Sequence, residues 1–154
     1  MSEAQGYPQG DAAPSAGERA DRFADSPWRD LSDADWKARL PLAAFEVLRC
    51  EATEPRGSSP LLQEHRPGIF VCAGCGLPLF RSEAKFDSGS GWPSFDAAQA
   101  GNIATQRDDR SGVARVEYHC ARCLGHQGHI FHDGPTSTGL RHCNDGVALR
   151  FVPD

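Results

Sequence analysis

No stretch of this sequence is apolar for long enough to cross a bilayer, and no basic region followed by an apolar one opens it. Neither a membrane span nor a secretory leader is expected, and the reducing cytoplasm is the expected compartment. Basic clusters are missing as well. Lys and Arg number 16 against 21 Asp and Glu, a formal charge of −5. Residues 1–30 contribute −3 of it, from six acids and three arginines. Phosphate binding needs clustered positive charge, so a nucleic-acid partner is not expected. Solubility is enough to account for the acidic excess. Apolar residues are few, 39% against 16 Gly and 11 Pro in 154 residues, which describes one loop-rich domain that needs a staple beyond apolar burial. What is there is cysteine. Six of them in a reducing compartment point to metal ligands or catalytic thiols before structural disulfides.

Residues 1–27 are rich in Gly, Ala, Ser, Pro and charge, and read as a disordered tail ahead of a domain over 28–154. Ser32 is a good N-cap with Asp35 three residues on, opening a short helix that bears Trp36 and Leu40. Pro41 suits the first turn of a second helix carrying Leu42, Phe45 and Leu48. Segment 51–68, with three prolines and two glycines, reads as a long loop. Short strands follow at Ile69–Val71, Leu79–Phe80 and Val147–Val152. Ile103–Gln106 and Val113–His119 flank the polar, Gly-ended stretch 107–112 and form a hairpin.

Cys72-Ala-Gly-Cys75 and Cys120-Ala-Arg-Cys123 are two C-x-x-C knuckles, with 44 residues between Cys75 and Cys120. The two-residue gap lets both thiolates of a pair turn toward one ion, and Gly74 and Gly76 relieve the tight backbone. Four thiolates suit one structural, tetrahedral Zn²⁺, with no open position for water or substrate. A single C-x-x-C would fit a redox motif equally well; two, each beside a strand, favour the metal.

Cys50 and Cys143 remain. A lone Cys is usually a small buried hydrophobe. Around Cys143 the chain reads GLRHCNDG, where Arg141 and His142 can favour a thiolate and the glycines suggest exposure. His126 and His129 lie in a Gly-containing loop just after the second knuckle, suited to acid–base work. They could also bind a second metal, but no carboxylate stands between them as in a zincin helix. Trp92, between Gly91 and Pro93, is either a core plug beside Phe86 and Phe95 or an aromatic wall for an apolar methyl group.

The blocks CAGC, KFDSGSGWPSF, YHCARC, GHQGHIFHDGP and GLRHCNDGVALRF occur in an order and at spacings similar to those of the B-type methionine sulfoxide reductases, from about Trp36 to Val152. That resemblance implies reduction of the R epimer of methionine sulfoxide in oxidised proteins or peptides. It also implies a mainly β fold: two small antiparallel sheets, a β-tent of zinc-knuckle type, with short N-terminal helices and the four-cysteine site opposite the catalytic face. Cys143 matches the family nucleophile and Trp92 the aromatic group that holds the sulfoxide methyl. His126 and His129 match the imidazoles that bind and protonate its oxygen, and Arg141 resembles a supporting arginine. Cys143 would emerge as a sulfenic acid.

Two departures from the family stand out, one in the RHCNDG block and one at Ser90. His142 replaces an aromatic residue and Asp145 stands where an active-site Asn is usual; an ionised Asp cannot donate a hydrogen bond as an amide does. Either Asn144 compensates, or Asp145 orients a histidine, or activity is low. Ser90 occupies the place of a recycling Cys found in many relatives. That leaves Cys50, beside a loop expected to be mobile, to form a disulfide with Cys143 that thioredoxin reduces. The chain is expected to act as a monomer. Two rivals remain: a non-catalytic zinc module on the same scaffold, serving as a protein-binding or chaperone domain, and a thiol–disulfide oxidoreductase using one C-x-x-C pair.

Overall fold

Ser32 opens the first helix through a reciprocal cap. Its hydroxyl accepts from the Asp35 N–H at 3.1 Å while its own N–H donates to the Asp35 carboxylate at 2.9 Å. The computed structural model describes residues 21–154; residues 1–20, most of the expected tail, lie outside the described residues. Asp21–Asp25 form a turn, and Phe23 packs against the core. The helices are α1 (Asp33–Arg39) and α2 (Leu42–Cys50), the latter starting after Pro41 and ending on Glu51 in the left-handed region at φ 59°.

Nine strands follow: β1 (Gly68–Cys72), β2 (Pro78–Arg81), β3 (Lys85–Phe86), β4 (Ser94–Phe95), β5 (Ile103–Asp108), β6 (Arg115–Cys120), β7 (His126–Phe131), β8 (Arg141–Asn144) and β9 (Leu149–Pro153). They build a three-stranded sheet in the order β2-β1-β9 and a six-stranded sheet in the order β3-β4-β8-β7-β6-β5. Every pairing is antiparallel. The mainly β architecture with two N-terminal helices is therefore as the residues imply.

The core lies where the inner faces of both sheets meet the helices. Phe80 of β2 stacks on Phe95 of β4 at 4.1 Å between centroids, and Phe70 of β1 meets Phe95 edge-on at 5.0 Å. Trp36, Phe45, Val47 and Leu48 of the helices close the same cluster. Aromatic side chains of this size supply most of the apolar burial available to so small a domain.

Three expectations need adjusting. The closing strand begins at Leu149 rather than Val147, because Gly146–Ala148 make a 3-10 turn and the Val147 N–H donates to Glu54 Oε1 at 3.0 Å. The His126–His129 segment is a strand, not a loop. The loop after α2 is not free. Glu54 N–H donates to Asp145 Oδ1 at 2.9 Å, Gly57 N–H to the Gly91 carbonyl at 2.8 Å, and Trp92 Nε1–H to the Glu54 carbonyl at 3.1 Å.

Candidate active site and metal centre

Alternation along a strand decides which side chains share a face. On β6, Glu117 and His119 point away from the core while Tyr118 is fully buried in it. β8 repeats the pattern: Arg141 and Cys143 are partly exposed, His142 and Asn144 buried. Strand β7 could not follow it unaided, since residues three apart fall on opposite faces. An irregularity supplies the missing step: Tyr118 lies opposite Gly128, yet the next residue, His119, lies opposite His126. The extra residue, Gln127, is a β-bulge. It brings the His126 and His129 rings to 5.6 Å from each other, while Gln127 itself turns inward and is fully buried. Cys143 is the register partner of His129 on one side and of Ser94 on the other. Gly128 is required beside it, because a Cβ there would lie 1.9 Å from the Cys143 carbonyl oxygen.

Each histidine is held by a buried carboxylate that sequence reasoning did not single out. His129 Nε2 lies 2.8 Å from Asp108 Oδ2. Hydrogen bonds from the Arg110 side chain and backbone, then from His129, hold Asp108 well below the usual carboxylate range, so it accepts the His129 Nε2–H. His126 Nδ1 lies 3.0 Å from Glu117 Oε2. Burial raises the Glu117 pKa, but the Gln106 amide and the His119 and His126 imidazoles outweigh it, leaving Glu117 below its ordinary value. His126 itself is pushed down, chiefly by burial, and is neutral near pH 7. Its Nδ1–H faces Glu117, so its Nε2 faces Asp145 Oδ2 at 3.9 Å.

Asp145 is the unusual group. Burial, with the neighbouring Glu54 carboxylate, outweighs the bond from the Glu54 N–H and lifts its pKa to about 7. Near neutrality it is half protonated and carries an O–H donor. Asn144 cannot take its place: it is fully buried, accepts from Tyr118 Oη at 2.6 Å, and commits its amide to Gln127 Oε1 and the Asp145 carbonyl.

Burial raises the Cys143 pKa above that of a free thiol; Arg141 and the Ser90 hydroxyl pull it back without fully compensating. Arg141 is clamped by Asp133 at 2.8 and 3.1 Å and lies over the Phe131 ring at 4.4 Å. His142 does not assist the thiol. Its Nδ1 meets the Phe95 carbonyl, its ring sits edge-on to Phe80 and Tyr118, and burial lowers its pKa to about 4. It fills the core as an aromatic residue would. Trp92 is half-buried and outside the core cluster that holds Phe95, so it is not a core plug. Cys50, the last residue of α2, is exposed.

The four knuckle cysteines converge between the two sheets. Cys72 Sγ lies 3.6 Å from Cys123 Sγ, Cys75 Sγ lies 3.5 Å from Cys120 Sγ, and all four sulfurs are within 4.8 Å of one another. Gly76 at φ 83° and Leu124 at φ 65° follow the two pairs in the left-handed conformation, so both knuckles turn in the same way. The Gly74 and Gly125 N–H groups, the Arg122 guanidinium and the Gln127 amide all point donors at the sulfurs, at 3.3–3.4 Å. Thiolates rather than thiols call for such donors. The cluster can hold a metal ion, and Gln127 links it to the back of the strand that carries His126 and His129.

A family model described as the SelR domain matches residues 40–153. The chain belongs to this family, the B-type methionine sulfoxide reductases. A relative named peptide methionine sulfoxide reductase MsrB, from Bradyrhizobium diazoefficiens, is 47% identical over 123 residues, covering 79% of this chain and 88% of that one. The protein of the same name from Agrobacterium fabrum is 43% identical over 129 residues, covering 83% and 96%. Among solved structures, the Mis18 "Yippee-like" domain superposes with a TM-score of 0.43 at 18% identity, over 56% of this chain and 96% of that one, too slight a likeness to carry an argument.

Proposed function

We propose that this reductase converts the R epimer of methionine sulfoxide in oxidised proteins to methionine, with Cys143 as nucleophile in a catalytic domain spanning residues 28–154. The observation that carries the reading is one face of one sheet: Cys143 on β8 beside His129 on β7, with His126 and Asp145 adjoining. Family membership supplies the substrate class. A cleft lined by Asp87, Ser88, Ser90, Asp133, Pro135 and Arg141 includes two of the side chains, Ser90 and Arg141, that act on the Cys143 thiol. Among the described residues no helix is long and apolar enough to cross a membrane.

In the reaction the sulfoxide methyl lies against Trp92 and its oxygen faces His126, His129 and Asp145. The Cys143 sulfur attacks the sulfoxide sulfur while a proton reaches the departing oxygen. The oxygen then passes to Cys143 as a hydroxyl, giving a sulfenic acid and methionine, and the proton lost when Cys143 ionised restores the donor. His126, as its imidazolium, serves as the proton donor and Asp145 in its protonated form adds a hydrogen bond to the oxygen, with Glu117 and Asp108 fixing the two imidazoles. Arg141 and Ser90 favour the thiolate. His126→Ala and His129→Ala should each slow single-turnover reduction by roughly 10²-fold. A fall in melting temperature with an unchanged rate would mark them as structural instead.

Asp145→Asn separates the two forms of the carboxyl. Asparagine can accept the Glu54 N–H at Oδ1 and always offers an N–H donor. The parent loses its O–H as pH rises through about 7. The variant should therefore outpace the parent about tenfold or more at pH 9 and match it near pH 6. Stability follows the same sign. A folded-state pKa raised above the ordinary 3.8 contributes no penalty below that value and costs up to about 1.4 kcal/mol per pH unit between there and about 7. Asp145→Asn should thus be the more stable protein at pH 8 and lose that advantage at pH 4. Parallel pH profiles for the two proteins would remove Asp145 as a hydrogen-bond donor to the oxygen.

The four-cysteine cluster is assigned to one structural Zn²⁺ held by Cys72, Cys75, Cys120 and Cys123, which takes part in no step of the reaction. Sulfurs 3.5–3.6 Å apart suit a tetrahedron with Zn–S bonds of about 2.3 Å. For recycling, Cys50 condenses with the sulfenic acid, releasing water, and thioredoxin reduces the disulfide. The bonds that pin residues 52–57 require the end of α2 to open first. Cys50→Ser should lose thioredoxin-supported turnover yet release one methionine per enzyme. Normal turnover of that variant would mean that reductant attacks the sulfenic acid directly. The enzyme is taken to work as a monomer.

A further inference from the structure

On the face that carries the reaction, three metal-ligating side chains converge that neither the reaction nor the cysteine cluster requires together. Glu117 Oε2 lies 3.0 Å from His126 Nδ1 and 3.3 Å from His119 Nε2. All three ligand atoms fall within 4.8 Å of one another. Metal bonds of about 2.1 Å to nitrogen and oxygen place neighbouring ligands of a tetrahedral ion about 3.4 Å apart, so little movement separates the present arrangement from a bound one. The bulge at Gln127 creates the cluster, because it sets His126 opposite His119 on the same face as Glu117.

The surroundings are those of a supported ligand set. Glu117 is 2% exposed, and its second oxygen is held by the Gln106 amide at 3.0 Å with the Arg110 guanidinium at 3.8 Å, which aims Oε2 at the two imidazoles. Glu51 Oε2 lies 3.8 Å from His119 Nε2, on a half-exposed side chain at the entrance. His119 keeps 13% of its side chain exposed, so solvent reaches the cluster from that side. Two imidazoles and one carboxylate are borderline donors. They favour Zn²⁺, Co²⁺ or Cu²⁺ over Ca²⁺ or Mg²⁺, and leave a fourth position for water.

We propose that Glu117, His119 and His126 form a second, inhibitory metal site, for a divalent transition-metal ion such as Zn²⁺, distinct from the four-cysteine centre. The inhibition rests on the role given to His126 above. An ion on Nδ1 occupies the nitrogen that otherwise donates to Glu117. The neutral ring then carries its proton on Nε2, and the imidazolium, the stronger acid, is no longer accessible. The ion is reversible and adds no redox step.

The test uses the zinc-replete, reduced full chain without dithiothreitol, which would itself bind zinc. Titration calorimetry with Zn²⁺ should show one further equivalent per chain, and Zn²⁺ at saturation should suppress single-turnover methionine release until a chelator is added. Co²⁺ in place of that Zn²⁺ should give weak visible bands without the intense near-ultraviolet absorption of a thiolate ligand. His119→Gln and His119→Arg remove one donor, and either should weaken the second equivalent at least tenfold, about 1.4 kcal/mol, while turnover in chelator stays at the parent level. No second equivalent, equal affinity in both variants, or thiolate absorption on its binding would overturn the site. A second equivalent bound without loss of rate would uphold the site and count against the acid role of His126.

Discussion

Replacing Cys143 with serine should abolish turnover while leaving metal content and melting temperature at parental values. The two halves of that expectation have separate causes. Serine at pH 7 is a far poorer nucleophile toward sulfur than a thiolate, so the chemical step should fall to below about 1% of the parent, some 2.7 kcal/mol in the barrier. The fold has little reason to respond. Cys143 sits on the outer face of β8, makes no contact with the four knuckle sulfurs, and its β8 neighbours His142 and Asn144 carry the buried packing. Single-turnover methionine release and metal analysis on the same preparation check both halves. Residual activity above roughly a tenth, only about 1.4 kcal/mol, would mean that another thiol performs the attack.

The second large effect concerns the staple. Cys75→Ser or Cys120→Ser should remove the metal and the cooperative unfolding transition together. A structural zinc site of four thiolates contributes on the order of 10 kcal/mol to folding, which equals or exceeds the whole stability of a domain of this size. An ion held by the four cysteines would bridge β1, in the three-stranded sheet, to β6, in the six-stranded one, through knuckles distant in sequence. Without it, three acceptor-starved thiols and the Gln127 and Arg122 donors would be left between the sheets. Calorimetric scanning of each variant beside a stoichiometric zinc assay is decisive. A variant that keeps the parental melting temperature with no bound metal would show that apolar packing alone holds the sheets together.

What could be read from the chain and what could not divide along a physical line. The knuckles, the Ser32 cap and the 103–120 hairpin are local: two-residue gaps, a capping box and a Gly-ended turn act within a few residues. The family blocks supplied Cys143, His126, His129 and Trp92 as a set. The strand carrying the two histidines was hidden because a bulge breaks its period and Gly128 lowers its propensity; only pairing with β6 and β8 makes it a strand. Strands β3 and β4, at two residues each, have no pattern to read. The carboxylates were missed for a related reason. Asp108, Glu117 and Glu54 are ordinary polar residues in the sequence, and become functional partners only when distant segments meet. His142 was misread as an aid to the thiol because adjacency in sequence was taken for adjacency in space, whereas alternation along β8 sends it into the core. Ser90 was read only as a missing cysteine; folded, its hydroxyl acts on the Cys143 thiol.

The central claim is that this face reduces one epimer of a sulfoxide by thiol attack. The most direct measurement follows dabsyl-methionine sulfoxide, as a mixture of epimers, during incubation with the enzyme and dithiothreitol, with the two forms separated by chromatography. The account predicts that the R epimer disappears into dabsyl-methionine while the S epimer remains. Consumption of the S epimer, or of neither, would contradict it.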